Sequence, residues 1–193
     1  MTGGIDRLHP VIVHHLVNSL GWKELRPLQD HAAAPLLEGQ DALLLAPTAG
    51  GKTEAAIFPL LTAMESQRWE AGPSVIYVAP LKALLNNLLP RLEQYASWLG
   101  RRAAIWHGDV TAAARQRVLR DPPDLLLTTP ESLEAMLISI KTDPPRLFGA
   151  VRAVVVDEVH AFGSDDRGWH LLAVLERISR LAARPIQLSL IHI

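Results

Sequence analysis

Ala46-Pro47-Thr48-Ala49-Gly50-Gly51-Lys52-Thr53 joins an apolar run to a helix-forming stretch. Gly50 and Gly51 let backbone N–H groups converge on an anion, and the start of the helix adds the positive end of its dipole. Lys52 can then reach the β- and γ-phosphates of a nucleotide, and Thr53 can bind Mg²⁺. The strict G-x-x-x-x-G-K-T pattern fails at one position, where Ala46 holds the place of the first glycine. A second string, Val154-Val155-Val156-Asp157-Glu158-Val159-His160, begins about 100 residues later. An apolar strand ending in Asp-Glu supplies what a Mg·ATP site needs opposite a phosphate cradle. Asp157 would hold Mg²⁺ through its water shell, and Glu158 would polarise the attacking water. A metal cluster of Asp157, Glu158 and His160 has little support, because the chain has no Cys and no H-E-x-x-H. A dinucleotide site of the G-x-G-x-x-G kind would need an acid near the end of the second strand, and Val78-Ala79-Pro80 offers none.

Residues with these duties must be set at the ends of rigid elements. Nearly all-apolar runs at Asp41–Ala46, Ser74–Ala79, Ala103–His107, Asp124–Thr128, Arg152–Asp157 and Pro185–Leu190 predict strands buried on both faces. Helices are predicted between them, at 10–20, 27–37, 52–67, 81–99, 111–120, 130–140 and 168–183. Pro90 should break or kink the fourth. Asp121-Pro122-Pro123-Asp124 and Asp143-Pro144-Pro145-Arg146 predict turns. Strand–helix alternation at this spacing predicts an α/β fold, a parallel sheet flanked by helices on both faces. Ligands in such sheets bind beyond the carboxyl ends of the strands, where both strings fall.

Composition narrows the rest. The 193 residues suit about one domain, and 49% hydrophobic content supports a buried core. The lack of Cys excludes disulfides and thiol catalysis. No apolar run approaches the roughly 20 residues that span a bilayer, so no membrane partner is expected. No leader is visible, and a cytoplasmic protein is the default expectation. The net charge of −1 means that any nucleic-acid contact must come from local sites. His107 and Asp109 are expected to be a polar loop pair, and the five Trp residues to serve core or inter-helix packing.

With these blocks in order, the chain resembles the first RecA-like domain of a superfamily 2 DExH/DEAD-box helicase. Ala-Pro-Thr-Ala-Gly-Gly-Lys-Thr and Asp-Glu-Val-His carry the resemblance, and the remaining blocks are nearest in flavour to Lhr-like large helicases. Leu25-Arg26-Pro27-Leu28-Gln29 is similar to the Q motif, which implies that Gln29 bonds the adenine edge. Ala79-Pro80-Leu81-Lys82-Ala83-Leu84 is similar to motif Ia, and Thr128-Thr129-Pro130-Glu131-Ser132 to motif Ib. The resemblance implies a RecA-like P-loop NTPase fold and a helicase that hydrolyses ATP. It implies nucleotide contacts from Gln29, Thr48, Ala49, Gly50, Gly51, Lys52 and Thr53, with Mg²⁺ at Thr53 and Asp157. It further implies catalytic roles for Lys52, Asp157, Glu158 and His160. Nucleic acid, DNA in preference to RNA, would lie on Pro80, Lys82, Thr128, Thr129 and Pro130. The last block has a physical reading too: Thr129 suits an N-cap and Pro130 the first helical position, which leaves free N–H groups for a phosphate. The alternative function is a P-loop ATPase with no nucleic-acid partner.

Two departures from that pattern stand out. Ala49 occupies a loop position whose backbone shape favours glycine, so nucleotide binding is expected to be retained but weakened. Motif III begins at Gln187-Leu188-Ser189, after which the chain reads Leu190-Ile191-His192-Ile193. Leu-Ser-Leu-Ile-His-Ile is also what a transposon end common in sequencing libraries encodes. Residues 1–189 are therefore expected to form the ATP-binding domain and 190–193 a non-native tail, with the second RecA-like domain missing.

Overall fold

Short apolar runs set the sheet. In the computed structural model, which describes residues 3–47, 49–163 and 166–192, six strands lie side by side: β1 (Ala42–Leu45), β2 (Val75–Val78), β3 (Ala103–Trp106), β4 (Leu125–Thr128), β5 (Ala153–Val156) and β6 (Gln187–His192). Their order is β1-β6-β5-β2-β4-β3, and every adjacent pair is parallel. The inner strands β2, β4 and β5 are buried at every position, which is why they read as unbroken apolar runs.

Alternate side chains feed two separate cores. Val75, Tyr77, Leu125, Leu127, Ala153 and Val155 face one side. There they meet α1 (Pro10–Asn18), α2 (Pro27–Leu37), α3 (Lys52–Ser66) and α4 (Lys82–Ser97) through residues such as Ile12, Leu36, Phe58 and Leu85. Ile76, Val78, Leu126, Val154 and Val156 face the other side. Their partners are α5 (Ala112–Arg120), α6 (Pro130–Ile138), α7 (Pro144–Phe148) and α8 (Asp166–Ala182), through Val118, Leu133, Phe148 and Val174 among others. The period of two along each strand thus assigns neighbouring residues to opposite layers. The expected parallel sheet with helices on both faces is what the chain builds.

The structure differs from the sequence-based expectation in four places. α4 runs unbroken through Pro90. Proline removes a single rung, to Asn86, and the apolar stripe of Leu85, Leu88 and Leu92 holds the helix to the core on both sides of it. Asp143-Pro144-Pro145-Arg146 is not merely a turn but the start of α7. Its Asp143 side chain caps the Arg146 N–H at 3.4 Å, and Pro144 occupies the first helical position. β6 continues past Leu190 to His192, because Leu190, Ile191 and His192 pair with Leu43, Leu44 and Leu45, and Ile191 is buried. Trp169 joins neither core: it stands 75% exposed on α8, whereas Trp69 and Trp106 are buried.

β1 and β3 are the edge strands. Leu44 of β1 points into the core while Leu43 and Leu45 face outward, exposed. Among the described residues no helix is long and apolar enough to cross a membrane.

Candidate functional site

The turn after β1 gives its shape to the phosphate cradle. Ala49 adopts a left-handed backbone, φ 62°, and Gly51 does so at φ 78°. A side chain at Gly51 would collide with the Gln29 amide, and one at Gly50 would meet Ala46 Cβ and Pro47 O. Both glycines are therefore fixed by close approach as well as by backbone shape. Lys52 Nζ donates to Ala46 O (2.6 Å) and Pro47 O (3.0 Å), which folds its ammonium back across the loop. Thr48 lies outside the described residues.

Gln29, on α2, is buried, and its amide is spent on backbone. Its Oε1 accepts from the Arg26 N–H (3.0 Å) and its Nε2 donates to Gly51 O (3.2 Å). It braces the cradle from behind and does not line the cavity in front of it. Arg26 does line that cavity and bonds Ala49 O.

Asp157 and Glu158 follow β5 and face the same cavity, of about 440 Å³. Asp157 Oδ2 accepts from Tyr77 Oη (2.6 Å), and its Oδ1 accepts from the Glu158 N–H (2.9 Å). Burial first, and the Asp157 carboxylate second, hold the Tyr77 phenol well above its ordinary pKa, so it remains a donor. Glu158 has φ 50°, a left-handed conformation unusual for glutamate. Its Oε2 is buried with no hydrogen-bond partner and lies 3.5 Å from His160 Nδ1. A strained residue with an orphaned carboxylate oxygen marks a group held ready for something else. His160 also approaches His192, with 3.1 Å between the Nδ1 atoms.

The cavity holds residues that the sequence alone did not single out. Arg91 of α4 donates to Thr53 Oγ1 (3.4 Å) and lies 3.4 Å from Glu54 Oε1, to which Tyr95 Oη also donates (3.1 Å). Trp22 closes another part of the wall. One signal was available for Tyr77: a phenol inside an apolar strand needs a buried partner for its hydroxyl. Tyr77→Phe is expected to leave Asp157 Oδ2 without its protein donor, at a cost of about 1–2 kcal/mol. Thermal unfolding should show a midpoint about 3–6 °C lower; an unchanged midpoint would mean that water replaces the phenol without loss.

A second opening, of about 780 Å³, lies beyond the ends of β2, β3 and β4. Pro80, Lys82, Trp106, His107, Arg115 and Thr129 line it, with Arg167 at the α8 side. Thr129 caps α6, its Oγ1 accepting from the Ser132 N–H (3.4 Å), with Pro130 next in the helix. Thr128 is fully buried and donates to Trp106 O (2.7 Å), so it supports the floor and does not form the surface. Arg167 donates to Pro80 O (3.1 Å) and Glu131 Oε1 (3.0 Å).

The pair expected in the loop after β3 is polar, as anticipated, but each member has its own partner. His107 Nδ1 accepts from the Asp109 N–H (3.3 Å), which leaves Nε2 to donate to Asn86 Oδ1 (3.0 Å). Burial lowers the His107 pKa and keeps the ring neutral. Asp109 Oδ1 takes Lys82 Nζ at 2.8 Å, and this bond holds its carboxyl below the ordinary range. Among the described residues no group of three or more His, Cys, Asp or Glu could hold a metal ion.

A phosphate cradle after one strand, an Asp-Glu pair after another and an all-parallel sheet beneath them define a RecA-like P-loop domain. The chain belongs to the DEAD/DEAH box helicase family, whose sequence profile matches residues 26–191. It is 35% identical over 175 residues to the Lhr helicase/probable uracil glycosylase of Mycolicibacterium smegmatis, a match covering 83% of this chain and 11% of that protein. It is 34% identical over 177 residues to the ATP-dependent helicase Lhr-Core of Methanocaldococcus jannaschii, covering 83% of this chain and 21% of that one. Among solved structures it is similar to the Mycobacterium smegmatis helicase Lhr bound to ssDNA and AMP-PNP. There the TM-score is 0.81 at 32% identity, over 98% of this chain and 25% of the other. The chain thus spans about a tenth to a fifth of the length of the curated relatives it matches.

Proposed function

We propose that this chain is the ATP-binding motor domain of a nucleic-acid helicase or translocase, in which Mg·ATP hydrolysis is coupled to movement along a strand. The observation that carries the reading is Glu158, which lines the same cavity as the cradle and whose buried Oε2 makes no hydrogen bond. The AMP-PNP and ssDNA in the similar Lhr structure support it.

Ala49, Gly50, Gly51, Lys52 and Thr53, with Thr48, form the phosphate site, and Gln29 sets its back wall. Lys52 neutralises the β- and γ-phosphates. Thr53 and Asp157 would hold Mg²⁺. One hydroxyl and one carboxylate fit this ion, which keeps its waters and takes substrate phosphates in preference to an all-protein cage. When bound, the ion supplies charge neutralisation at the transferring phosphoryl group. Glu158 accepts a proton from the attacking water, and His160 lies beside its carboxylate, with Nδ1 3.5 Å from Oε2. A single strand lies across the second opening, on Lys82, the Pro80 turn and the Thr129–Pro130 helix start, over a floor that includes Thr128. DNA is the favoured substrate, by likeness to Lhr.

In helicases of this family a second RecA-like domain completes the ATP cleft and supplies arginines, worth roughly 10³–10⁵ in rate. Residues 1–189 would be one half of that motor, with 190–193 a non-native extension. Purified 1–193 with Mg·ATP is therefore expected to bind labelled single strands weakly and in a salt-sensitive way. It should hydrolyse ATP near background and leave duplexes intact. Sustained strand displacement by the monomer would overturn the two-domain account; ATP binding wholly indifferent to added strands would favour an ATPase without a nucleic-acid partner.

A further inference from the structure

Lys82 is the lysine best placed to meet a strand, at the first turn of α4 on the rim of the second opening, yet its ammonium is engaged. Asp109, across the opening on the loop after β3, holds it at 2.8 Å. That loop is built to bring the carboxylate there. Arg115 Nη2 donates to Gly108 O (2.6 Å) and pins it from α5. His107 Nδ1 accepts the Asp109 N–H and fixes the direction of the backbone. Gly108 leaves room for Lys82, since a Cβ there would sit 3.3 Å from Nζ. Beneath the loop, Arg115 Nε is buried with no hydrogen-bond partner, its guanidinium over the Trp106 ring at 6.0 Å. The opening thus carries two guanidinium groups and an ammonium against two carboxylates, Glu131 set on Arg167 and Asp109 set on Lys82.

We propose that Asp109 occupies on Lys82 the place a strand phosphate would take, so that single-strand binding proceeds by exchange of an internal carboxylate for a phosphodiester. The inference rests on the reading of this opening as a strand site. A phosphodiester and a carboxylate are both oxyanions that accept from an ammonium, so one can replace the other on Nζ without new geometry. The exchange makes binding weaker than the count of cations suggests, and less dependent on salt, because part of the counter-ion on Lys82 is protein and is not released to solvent. Asp109 is then a positioning residue, which acts on the strand through Lys82.

The test is fluorescence anisotropy of a labelled 20-nucleotide oligo(dT) with 1–193, titrated at several salt concentrations. Asp109→Asn is expected to tighten binding by about threefold or more at low salt and to steepen the salt dependence by about 0.7 of a log unit per log unit. Structural damage would weaken binding, not tighten it. Lys82→Ala should weaken binding, and in its background Asp109→Asn should have no further effect. Asp121→Asn, which removes the same charge from the exposed pair with Arg102 elsewhere on the surface, should change little. Tightening that persists without Lys82, or that Asp121→Asn reproduces, would overturn the exchange, as would a parent-like affinity for Asp109→Asn. If neither parent nor variants bind oligo(dT) saturably at low salt, the strand-site reading itself falls, and this inference with it.

Discussion

Lys52→Ala is expected to weaken Mg·ATP binding by about 10- to 100-fold, the loss of one hydrogen bond to a charged group in a part-buried site. In the structure the ammonium already lies across the cradle, bonded to Ala46 O and Pro47 O. Its removal would therefore take away the cation proposed to meet the phosphates and a tether of the loop. The two effects separate by experiment. Titration with a fluorescent ATP analogue reads the affinity, while thermal unfolding without nucleotide reads the tether. A large loss of affinity with a nearly unchanged midpoint is the expected pattern. Parent-like affinity would remove this loop from the site, and a collapse of the fold would assign Lys52 to structure.

Glu158→Gln is expected to spare binding and suppress turnover by about 10²-fold or more, measured in a longer chain that supplies the second RecA-like domain. Glutamine keeps the shape and volume but cannot accept a proton from water. The position makes the test sharp. Oε2 holds no protein hydrogen bond to be lost, so the substitution changes only the charge set 3.5 Å from His160 Nδ1. Asp157, by contrast, is tied to Tyr77 and to the Glu158 backbone, and its replacement would disturb both. Unchanged turnover in Glu158→Gln would exclude this carboxylate as the base.

What the sequence made legible was local. The cradle and Asp157-Glu158 are contiguous strings in loops that follow strands, so adjacency in the chain is adjacency in the site. Even the left-handed shape of Ala49 followed from the glycine it replaces. What stayed hidden was assembled across distance. Tyr77 meets Asp157 across 80 positions, and Arg91 meets Thr53 across 38. Neither residue type is unusual where it stands: an aromatic in a strand and an arginine on a helix are ordinary. The strand order was equally hidden, because a parallel sheet places its neighbours by packing and not by proximity in the chain. Gln29 adds what a motif resemblance does not carry. Its block was recognisable, but the turn of its amide onto Gly51 is a contact between distant parts of the chain that no local pattern encodes. Pro90 shows the limit of local rules, since a helix anchored by Leu85, Leu88 and Leu92 outlasts one missing rung.

The outward leucines of β1 bear on how this protein behaves in a test tube. β1 pairs on one side only, with β6, and so presents an open edge flanked by Leu43 and Leu45. Such an edge is a template on which another chain can add a strand. A net charge of −1 gives molecules little mutual repulsion to keep them apart. Self-association in concentrated solution is therefore expected to start at this four-residue rim and not in the two cores. Leu43→Lys, at a side chain 56% exposed, would quiet that edge while leaving the cradle beyond the strand untouched.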